Sequence, residues 1–198
     1  EAVLAHNLHG GFFDLRGLPG IARRVPTAVV LHDYWLLTGH CAFPLDCRGW
    51  QNGCGNCPDL TLPPAIEQDS TRANLRLKKR IYRRSRLTVC SPSLRVLEDV
   101  KRSELGPAGS DPRHIPNGVD LKQFTPGDRK EARSRVGWPE LGFRLLLVGF
   151  HFDTNPFKDY ACALATARRL DEKGVDVSLV ILGGAEHRRQ FVGNVVVE

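Results

Sequence analysis

The sequence has no methionine, few aromatic side chains and no long apolar run. Aromatic residues make up 8% of its 198 residues, and no run of them is suited to stacking on nucleic-acid bases. No apolar stretch approaches the roughly 20 residues that a membrane-spanning helix needs. The first residues lack the basic segment of a secretory signal peptide. The missing initiator methionine leads us to expect a segment of a longer or processed polypeptide.

The charge balance is basic. The chain has 28 Lys and Arg against 22 Asp and Glu, a net charge of +6 and an isoelectric point of about 9.2. Such a balance favours anionic partners, such as phosphates, nucleotides, acidic lipid surfaces or nucleic acid, and charge alone does not choose among them. Hydrophobic residues make up 41%, which is enough for one or two domains with real cores.

Short apolar runs alternate with helical patterns along the chain. The predicted strands cover residues 2–5, 27–31, 87–90, 113–115, 143–148 and 175–182. The predicted helices cover residues 12–24, 71–84, 93–106, 129–136 and 157–173. This order predicts an α/β protein with parallel sheets, the first four strands in one sheet and the last two in another.

A cluster of turn-forming residues, Thr125-Pro126-Gly127-Asp128, separates the two sets of strands. We therefore place a domain boundary there, which gives domains of residues 1–125 and 126–198. The residues beyond Ala185 have no pattern that we can interpret.

The strand predicted at residues 27–31 ends on His32 and Asp33. Ligands of open α/β sheets bind at the carboxyl ends of parallel strands, and an imidazole at such a position can bind a ligand or act in catalysis. The alternative for His32 is a bond to a loop carbonyl. Asp33 either orients His32 or caps the following turn.

A cysteine-rich loop follows at residues 40–58. It contains four cysteines, Cys41, Cys47, Cys54 and Cys57. Four thiolates are the ligand number of a closed tetrahedral zinc site, and His40 could replace one of them. Reduced thiols or two disulfides are the alternatives, although a chain without a secretory signal rarely uses a disulfide scaffold. Cys90 and Cys162 are predicted to be small core residues.

Six motifs succeed one another along the chain. They are L-A-H-N-L-H-G, V-V-L-H-D-Y-W-L-L-T-G-H-C, C-R-G-W-Q-N-G-C-G-N-C-P, V-C-S-P-S, H-I-P-N-G-V-D-L-K-Q-F-T-P and L-L-L-V-G-F…F-K-D. Together they resemble the family 4 glycosyltransferases of the GT-B fold, with the closest likeness to the bacterial exopolysaccharide and capsule branch. The resemblance extends from Ala2 to about Gly184.

The resemblance implies parts of two Rossmann-like domains, the later part of an N-terminal acceptor domain and the start of a C-terminal donor domain. It implies a retaining, hexosyltransferase-type enzyme that moves a sugar from a nucleotide-sugar donor to a saccharide or lipid-linked acceptor in polysaccharide biosynthesis. We expect no catalytic metal, because basic side chains and helix N-termini can carry the diphosphate charge. The family's first strands and its E-x7-E motif have no match here, so we expect an incomplete active site.

The resemblance also assigns roles to particular residues. His32, with Asp33, matches the family's active-site histidine, which contacts the transferred sugar or the departing diphosphate. Lys158 matches a lysine of the donor domain, where an ammonium can offset charge developing on the diphosphate. An exposed lysine at a helix start is the alternative. Phe150 stands where the family usually has an arginine, so one phosphate contact is missing.

The remaining predicted site residues lie in loops and turns. The donor-binding candidates are Gly149, Asn117 and Gly118, and the acceptor or cleft candidates are His9, Gly10, Gly11 and Ser91. A turn without ligand contact explains Asn117 and Gly118 almost as well, and helix capping explains Ser91 as well as a cleft position does.

Two further expectations concern partners. The basic segment from Arg72 to Arg84 could contact an anionic membrane surface that carries lipid-linked acceptors. The alternative is an ordinary solvated face, because the sequence spreads the charges around most of the helix. We expect a cytoplasmic protein, free or peripheral at the inner membrane face. The alternative function is a zinc-stabilised basic module that binds nucleic acid. The βαβ pattern after residue 140 has no place in such a module, so we expect no nucleic-acid partner.

Overall fold

The computed structural model describes residues 1–149, 155, 157–183, 190–192 and 195–197. The chain forms two compact units, Glu1–Val119 (unit 1) and Asp120–Glu198 (unit 2). Across these ranges, every helix is too short or too polar to span a bilayer.

Unit 1 is built on a four-stranded parallel sheet with the order β1-β2-β3-β4. Its strands are β1 (Val3–His6), β2 (Thr27–Val30), β3 (Leu87–Ser91) and β4 (Gly109–His114). His6 pairs with Val30, and Ser91 pairs with His114, so the carboxyl ends of the four strands lie at one edge. The predicted parallel sheet of the first four strands is confirmed.

Strand β4 starts well before its predicted first residue, Arg113. The segment Gly109-Ser110-Asp111-Pro112 is typical of a turn, because these residue types are poor strand formers. The structure nevertheless pairs Leu87 with Gly109, and an irregularity in register between Thr88 and Cys90 accommodates the extra residue around Pro112. A bulge of this kind tolerates a proline, which has no N–H to give to the ladder.

The helices of unit 1 are shorter than predicted. They are α1 (Leu18–Ala22), α2 (Thr71–Tyr82) and α3 (Leu94–Val100). A 3₁₀ turn at Leu15–Gly17 precedes α1, and Asp14 caps it by accepting a hydrogen bond from the Arg16 amide at 2.9 Å. The two phenylalanines before Asp14, which the sequence placed in a helix from residue 12, therefore lie outside the observed helical segments.

The core of unit 1 forms around the central strands. Val29 and Val89 are fully buried there. The largest fully buried side chains around them are Leu18, Leu37, Leu75, Tyr82, Val100 and Leu105. Since burial of one such side chain stabilises a fold by roughly 1.5–3 kcal/mol, this cluster holds α1, α2 and the loop after β2 against the sheet.

In sequence, Ala73, Leu77 and Ile81 recur at i, i+4 and i+8 and predict one buried apolar stripe on α2, but of the three only Ile81 is buried. Ala73 is exposed, and Leu77 has 40% of its surface exposed. The helix instead buries Thr71, Leu75, Lys78, Ile81 and Tyr82. The prediction was wrong because it admitted only apolar residues, whereas the true inner face includes a lysine.

Unit 2 contains a second sheet with the order β5-β6-β8-β7. Its strands are β5 (Phe143–Val148), β6 (Val177–Leu182), β7 (Gln190–Val192) and β8 (Val195–Val197). β5 pairs with β6 in parallel, as predicted, and β6 pairs with β8 in parallel. The antiparallel pair of β7 and β8 lies in the part of the sequence that had no interpretation.

Two helices, α4 (Arg129–Arg135) and α5 (Tyr160–Asp171), complete the described part of unit 2. Ala167 of α5 packs with Val177 and Leu179 of β6 in a small core. α5 begins at Tyr160 rather than at residue 157, because the Asp159 carboxylate caps it by accepting from the Cys162 amide at 2.8 Å. Together the units confirm the predicted α/β class with parallel sheets.

Candidate functional site

Two histidines meet where β1 and β2 end. His6 is the last residue of β1, and His32 follows β2 after one residue. The Nδ1 atom of His6 lies 2.9 Å from Nε2 of His32. The two rings are stacked, with 5.2 Å between centroids and 21° between planes. Both side chains are exposed, so the pair presents imidazole groups to a ligand at the carboxyl edge of the sheet.

His9 and Asp33 form a second pair of side chains between the loops that follow β1 and β2. We call His6, His32, His9 and Asp33 the histidine groups. His9 Nε2 is 2.8 Å from Asp33 Oδ2, and Asp33 Oδ1 accepts from the Trp35 amide at 2.8 Å. The sequence proposed that Asp33 orients His32 or caps the turn. In the structure Asp33 caps the turn at Trp35 and orients His9, while the ring partner of His32 is His6.

The loop after β1 brings His9 to this position. Asn7, Gly10 and Gly11 have φ angles of 44°, 99° and 83°, in the left-handed region that favours glycine. Leu8 is buried between them, with 6% of its surface exposed. The buried leucine anchors a sharply turning loop, and a Cβ at Gly11 would meet nothing within 4 Å. The two glycines are therefore needed for the turn and leave open space at its surface.

Lys78 of α2 supports the loop that follows Asp33. Its Nζ donates to the carbonyl oxygens of Trp35 at 2.5 Å and Thr38 at 3.0 Å. It also lies 3.7 Å from the centroid of the Trp35 ring. Burial lowers the pKa of Lys78 to about 7. Tyr82, one turn further along α2, donates to the Leu36 carbonyl at 2.7 Å, so two side chains of the helix fix this loop.

A cavity of about 260 Å³ lies next to this support. Trp35, His40 and Lys78 line it together with Asp14 and Ile66. The cavity lies between α2, the residues before α1 and the cysteine-rich loop. Trp35 thus lines this cavity and also contacts the histidine groups, with 5.9 Å between the centroids of its ring and the His9 ring.

Ser91 ends β3 and is completely buried. Its hydroxyl donates to the Leu31 carbonyl at 2.7 Å and accepts from the Ser93 amide at 3.1 Å. Ser93 in turn caps α3, accepting from the Val96 amide at 3.4 Å. Ser91 therefore ties the ends of β2 and β3 together, which is a positioning role rather than a direct contact with a ligand.

The turn at Asn117 and Gly118 is exposed. A Cβ on Gly118 would meet nothing within 4 Å. The turn follows β4 directly before the end of unit 1 at Val119. The turn thus follows β4, whereas the histidine groups lie at and after the ends of β1 and β2.

In unit 2, glycines bring the ends of β5 and β6 close together. The Gly149 amide donates to the Leu182 carbonyl at 3.0 Å. Gly183 has a φ of 111°, and a Cβ built on it would overlap the Gly149 carbonyl oxygen. A Cβ on Gly149 would lie 2.7 Å from Cε of Lys158. The Lys158 side chain therefore runs over Gly149, at the carboxyl edge of this sheet.

Lys158 lies just before α5, not inside it. The cap residue Asp159 separates Lys158 from the first helical residue, Tyr160. The Lys158 amide donates to the Asn155 carbonyl at 3.1 Å, so the lysine is held in a turn. Its side chain is half-buried. Phe150, the departure from the family pattern, lies outside the described residues.

All four loop cysteines and His40 line one small cavity of about 50 Å³. The knuckle at its wall is built from four successive residues with positive φ: Gly53, Cys54, Gly55 and Asn56. His40 Nε2 lies 3.3 Å from Cys57 Sγ, and the Cys57 amide donates to Asp69 at 2.8 Å. The cysteine-rich loop is thus folded as one compact piece.

The six cysteines are free thiols in the structure, which disfavours the two-disulfide alternative. Burial raises the pKa of Cys41 to about 11 and also raises that of Cys54. Among the described residues, no three His, Cys, Asp or Glu side chains already form a metal site. Cys90 is buried as predicted, whereas Cys162 is exposed on α5 because Ala167, not Cys162, faces the core.

Comparison with known proteins places the chain among relatives of glycosyltransferases. It is 32% identical over 147 residues, 69% of the chain, to WcaC of Escherichia coli K12, a glycosyl transferase assigned to colanic acid biosynthesis. It is 54% identical over 44 residues, 21% of the chain, to the D-inositol 3-phosphate glycosyltransferase of Geodermatophilus obscurus. The chain spans 36% of the first relative and 10% of the second. No protein-family profile matches it.

The sequence did not single out two residues that the structure places at the site. His6 carried the same signal as His32, since each stands at the end of a predicted apolar strand. Lys78 had no such signal, because seven basic residues between Arg72 and Arg84 look alike in sequence. Only the packing of α2 distinguishes the one that is buried.

Proposed function

We propose that this chain is part of a retaining glycosyltransferase of the GT-B type, which moves a hexose from a nucleotide-sugar donor to a saccharide or lipid-linked acceptor. The observation that carries the proposal is the pair of parallel sheets with polar groups at their carboxyl edges. Ligands of open parallel sheets bind at this edge. The relatives named above are glycosyltransferases.

In this proposal unit 2 binds the donor. The diphosphate lies beside Gly149, whose lack of a side chain makes room for the Lys158 side chain that runs over it. The Lys158 ammonium offsets the negative charge that grows on the leaving diphosphate. The helix dipole adds a partial positive charge at the start of α5, where the Cys162 amide is already bonded to Asp159. Asn117 and Gly118, on the turn after β4, remain proposed donor-binding residues.

Unit 1 supplies the groups for the transferred sugar and the acceptor. His32 hydrogen-bonds the sugar or the departing diphosphate, and His6 fixes the orientation of its ring through their 2.9 Å contact. Asp33 orients His9 in the same way, through a contact of 2.8 Å. Gly10 and Gly11 leave space for an acceptor hydroxyl group. None of these steps requires a catalytic metal, because cationic and N–H groups carry the charge.

A structural zinc ion belongs to the proposal as a stabiliser of the cysteine-rich loop. Its support is the donor set, since Cys41, Cys47, Cys54, Cys57 and His40 line one cavity. The thiols would give up their protons on binding zinc, against the burial that raises the pKa of Cys41 and Cys54. The ion would fix the loop between the histidine groups and α2 and would take no part in the reaction.

The alternative, a zinc-stabilised module that binds nucleic acid, has no support from the fold or the relatives. Two α/β units with parallel sheets exceed what such a module contains. The relatives are glycosyltransferases by name.

The proposal is tested with the polypeptide that contains this chain. A panel of nucleotide sugars is incubated with it, release of the nucleoside diphosphate is measured, and the anomeric configuration of the product is determined by NMR. We expect release from one donor class and a product that keeps the donor's configuration. An inverted product would reject retention, and failure to bind any nucleotide sugar would reject the enzyme function.

A further inference from the structure

The exposed face of α2 is formed by arginines. Arg72, Arg76, Arg80 and Arg83 follow one another at intervals of three or four residues, which places them on the same side of a helix. All four are exposed, as are Arg84 and Arg86 just beyond the helix. We call these six residues the arginine face. The sequence predicted charges all around the helix. Because Lys78 is buried and Lys79 is paired with Glu104, the remaining charged side chains lie on one side.

The arginine face has no acidic residue within its own segment of the chain. The segment from Thr71 to Arg86 contains no Asp or Glu. None of the ion pairs found among the described residues includes a member of the face. Lys79, on its flank, pairs with Glu104 at 2.7 Å. Like charges at such spacing repel one another, so the folded helix retains a cost that an external anion would relieve.

A shallow groove accompanies the face. It has a volume of about 310 Å³, and its lining includes Arg72, Arg76, Lys79 and Glu104. Three of these side chains are cationic and one is anionic, so the groove has a net positive lining. The guanidinium of Arg72 lies against Gly55, where a Cβ would come within 2.6 Å of Nε. Arg72 is therefore held in place by the knuckle.

Apolar groups border the arginines. Leu77 is 40% exposed and Ala73 is exposed beside it. The opposite side of α2 is fixed in the core by Leu75, Ile81 and Tyr82. The helix therefore cannot rotate to hide this face, and a leucine flanked by arginines suits the boundary between lipid headgroups and acyl chains.

We propose that the arginine face docks unit 1 on the anionic surface of a lipid bilayer. Guanidinium groups bind phosphate through paired donors, and a cluster of four or more basic residues is a known pattern for anionic lipids. A row of arginines with an exposed leucine and no aromatic residue favours lipid over nucleic acid, whose bases stack on aromatic rings.

Docking through this face would place the candidate site close to the membrane. Lys78, on the inner side of the same helix, holds the loop that follows Asp33. A helix that contacts lipid on one side thus positions the histidine groups on the other. This inference concerns the surface of unit 1 and does not depend on the donor chemistry proposed for unit 2.

Vesicle co-sedimentation tests the proposal. Vesicles of phosphatidylcholine alone are compared with vesicles that also contain phosphatidylglycerol, at low and high salt. We expect binding only to the anionic vesicles, and its loss at high salt. In the variant Arg76→Gln/Arg80→Gln/Arg83→Gln, affinity should fall on the order of a hundredfold, since each arginine near an anionic surface contributes about a factor of five.

A matched control separates the face from net charge. Arg135→Gln/Arg168→Gln/Arg169→Gln removes the same three charges from exposed positions of unit 2 and should bind vesicles like the parent. Circular dichroism checks that both variants fold. The proposal would be overturned if both variants lost vesicle binding equally, or if the first variant bound vesicles like the parent. It would also be overturned if the protein bound a structured RNA more tightly than vesicles at the same salt.

Discussion

The Nδ1 atom of His6 lies 2.9 Å from the Nε2 atom of His32, across the carboxyl ends of two neighbouring parallel strands. One ring nitrogen must donate and the other accept, so the tautomer of each imidazole is matched to that of its partner. In the proposed site the two histidines act together. His32 contacts the sugar or diphosphate, and His6 is its positioning residue.

The first prediction follows from this coupling. In the full-length enzyme, His32→Ala should lower kcat by roughly a hundredfold or more, and His6→Ala should lower it less. The double variant should be no slower than His32→Ala, because groups that act as one unit are not additive. Steady-state kinetics and thermal melts of the three variants provide the measurement. Additive losses would show that the two histidines work independently.

The second prediction concerns Lys78. Its native pKa is lowered to about 7 by burial, against an ordinary value of 10.5. The unfolded chain therefore binds more protons than the native one between these pH values, and stability rises with pH there. Relative to Lys78→Met, the parent's free energy of unfolding should increase from pH 7 to pH 9, by at most about 1.4 kcal/mol per pH unit.

Urea unfolding of both proteins at several pH values measures this difference. The methionine variant keeps every other titrating group, so the contributions of groups distant from Lys78 cancel in the comparison, whereas Cys54, whose pKa burial raises and the lysine charge lowers, contributes to the difference. A difference that stays constant across the range, or falls with pH, would mean that the lysine remains charged in the fold.

The third prediction concerns the cysteine-rich loop. Protein purified under reducing conditions should carry about one equivalent of zinc, and Cys54→Ser should lose it. Cys162→Ser should retain the metal, because Cys162 is exposed on α5 and is not part of the cysteine-rich loop. Elemental analysis measures the metal. A metal-free parent whose four loop thiols all react with an alkylating agent would discard the zinc site.

The fourth prediction concerns the close approach of strand ends in unit 2. Gly149→Ala places a methyl group 2.7 Å from Cε of Lys158, which must displace the lysine. Binding of a nucleoside diphosphate should weaken as it does in Lys158→Ala. Gly127→Ala, whose Cβ meets nothing within 4 Å, is the control. Unchanged binding by Gly149→Ala in calorimetry would separate the glycine from the donor site.

Sequence patterns predicted the strands and sheets better than the contacts between side chains at the candidate site. The strand Phe143–Val148 is an apolar run bounded by glycines, with Arg144 as its one polar residue, and local composition is enough to identify it. β4 was predicted too short because its first residues form a strand only through pairing with β3. That pairing is tertiary, and no local propensity encodes it.

The candidate site was predicted in part for the same reason. His32 and His9 were identified by their positions after strands, but their partners, His6 and Asp33, depend on the register between β1 and β2. The burial of Lys78 depends on two carbonyl groups some 40 residues away in the chain. Such contacts appear only when the fold brings the elements together.

The most direct test of the account is the affinity of a nucleoside diphosphate for the protein with and without Lys158. A charge-assisted hydrogen bond contributes roughly 1.5–3 kcal/mol, so Lys158→Ala should weaken binding about ten- to a hundredfold in isothermal titration calorimetry. Lys158→Arg should recover part of the affinity, and Lys173→Ala, which removes an exposed lysine after α5, should bind like the parent. If Lys158→Ala binds the nucleoside diphosphate as tightly as the parent, the proposed donor site is in the wrong place.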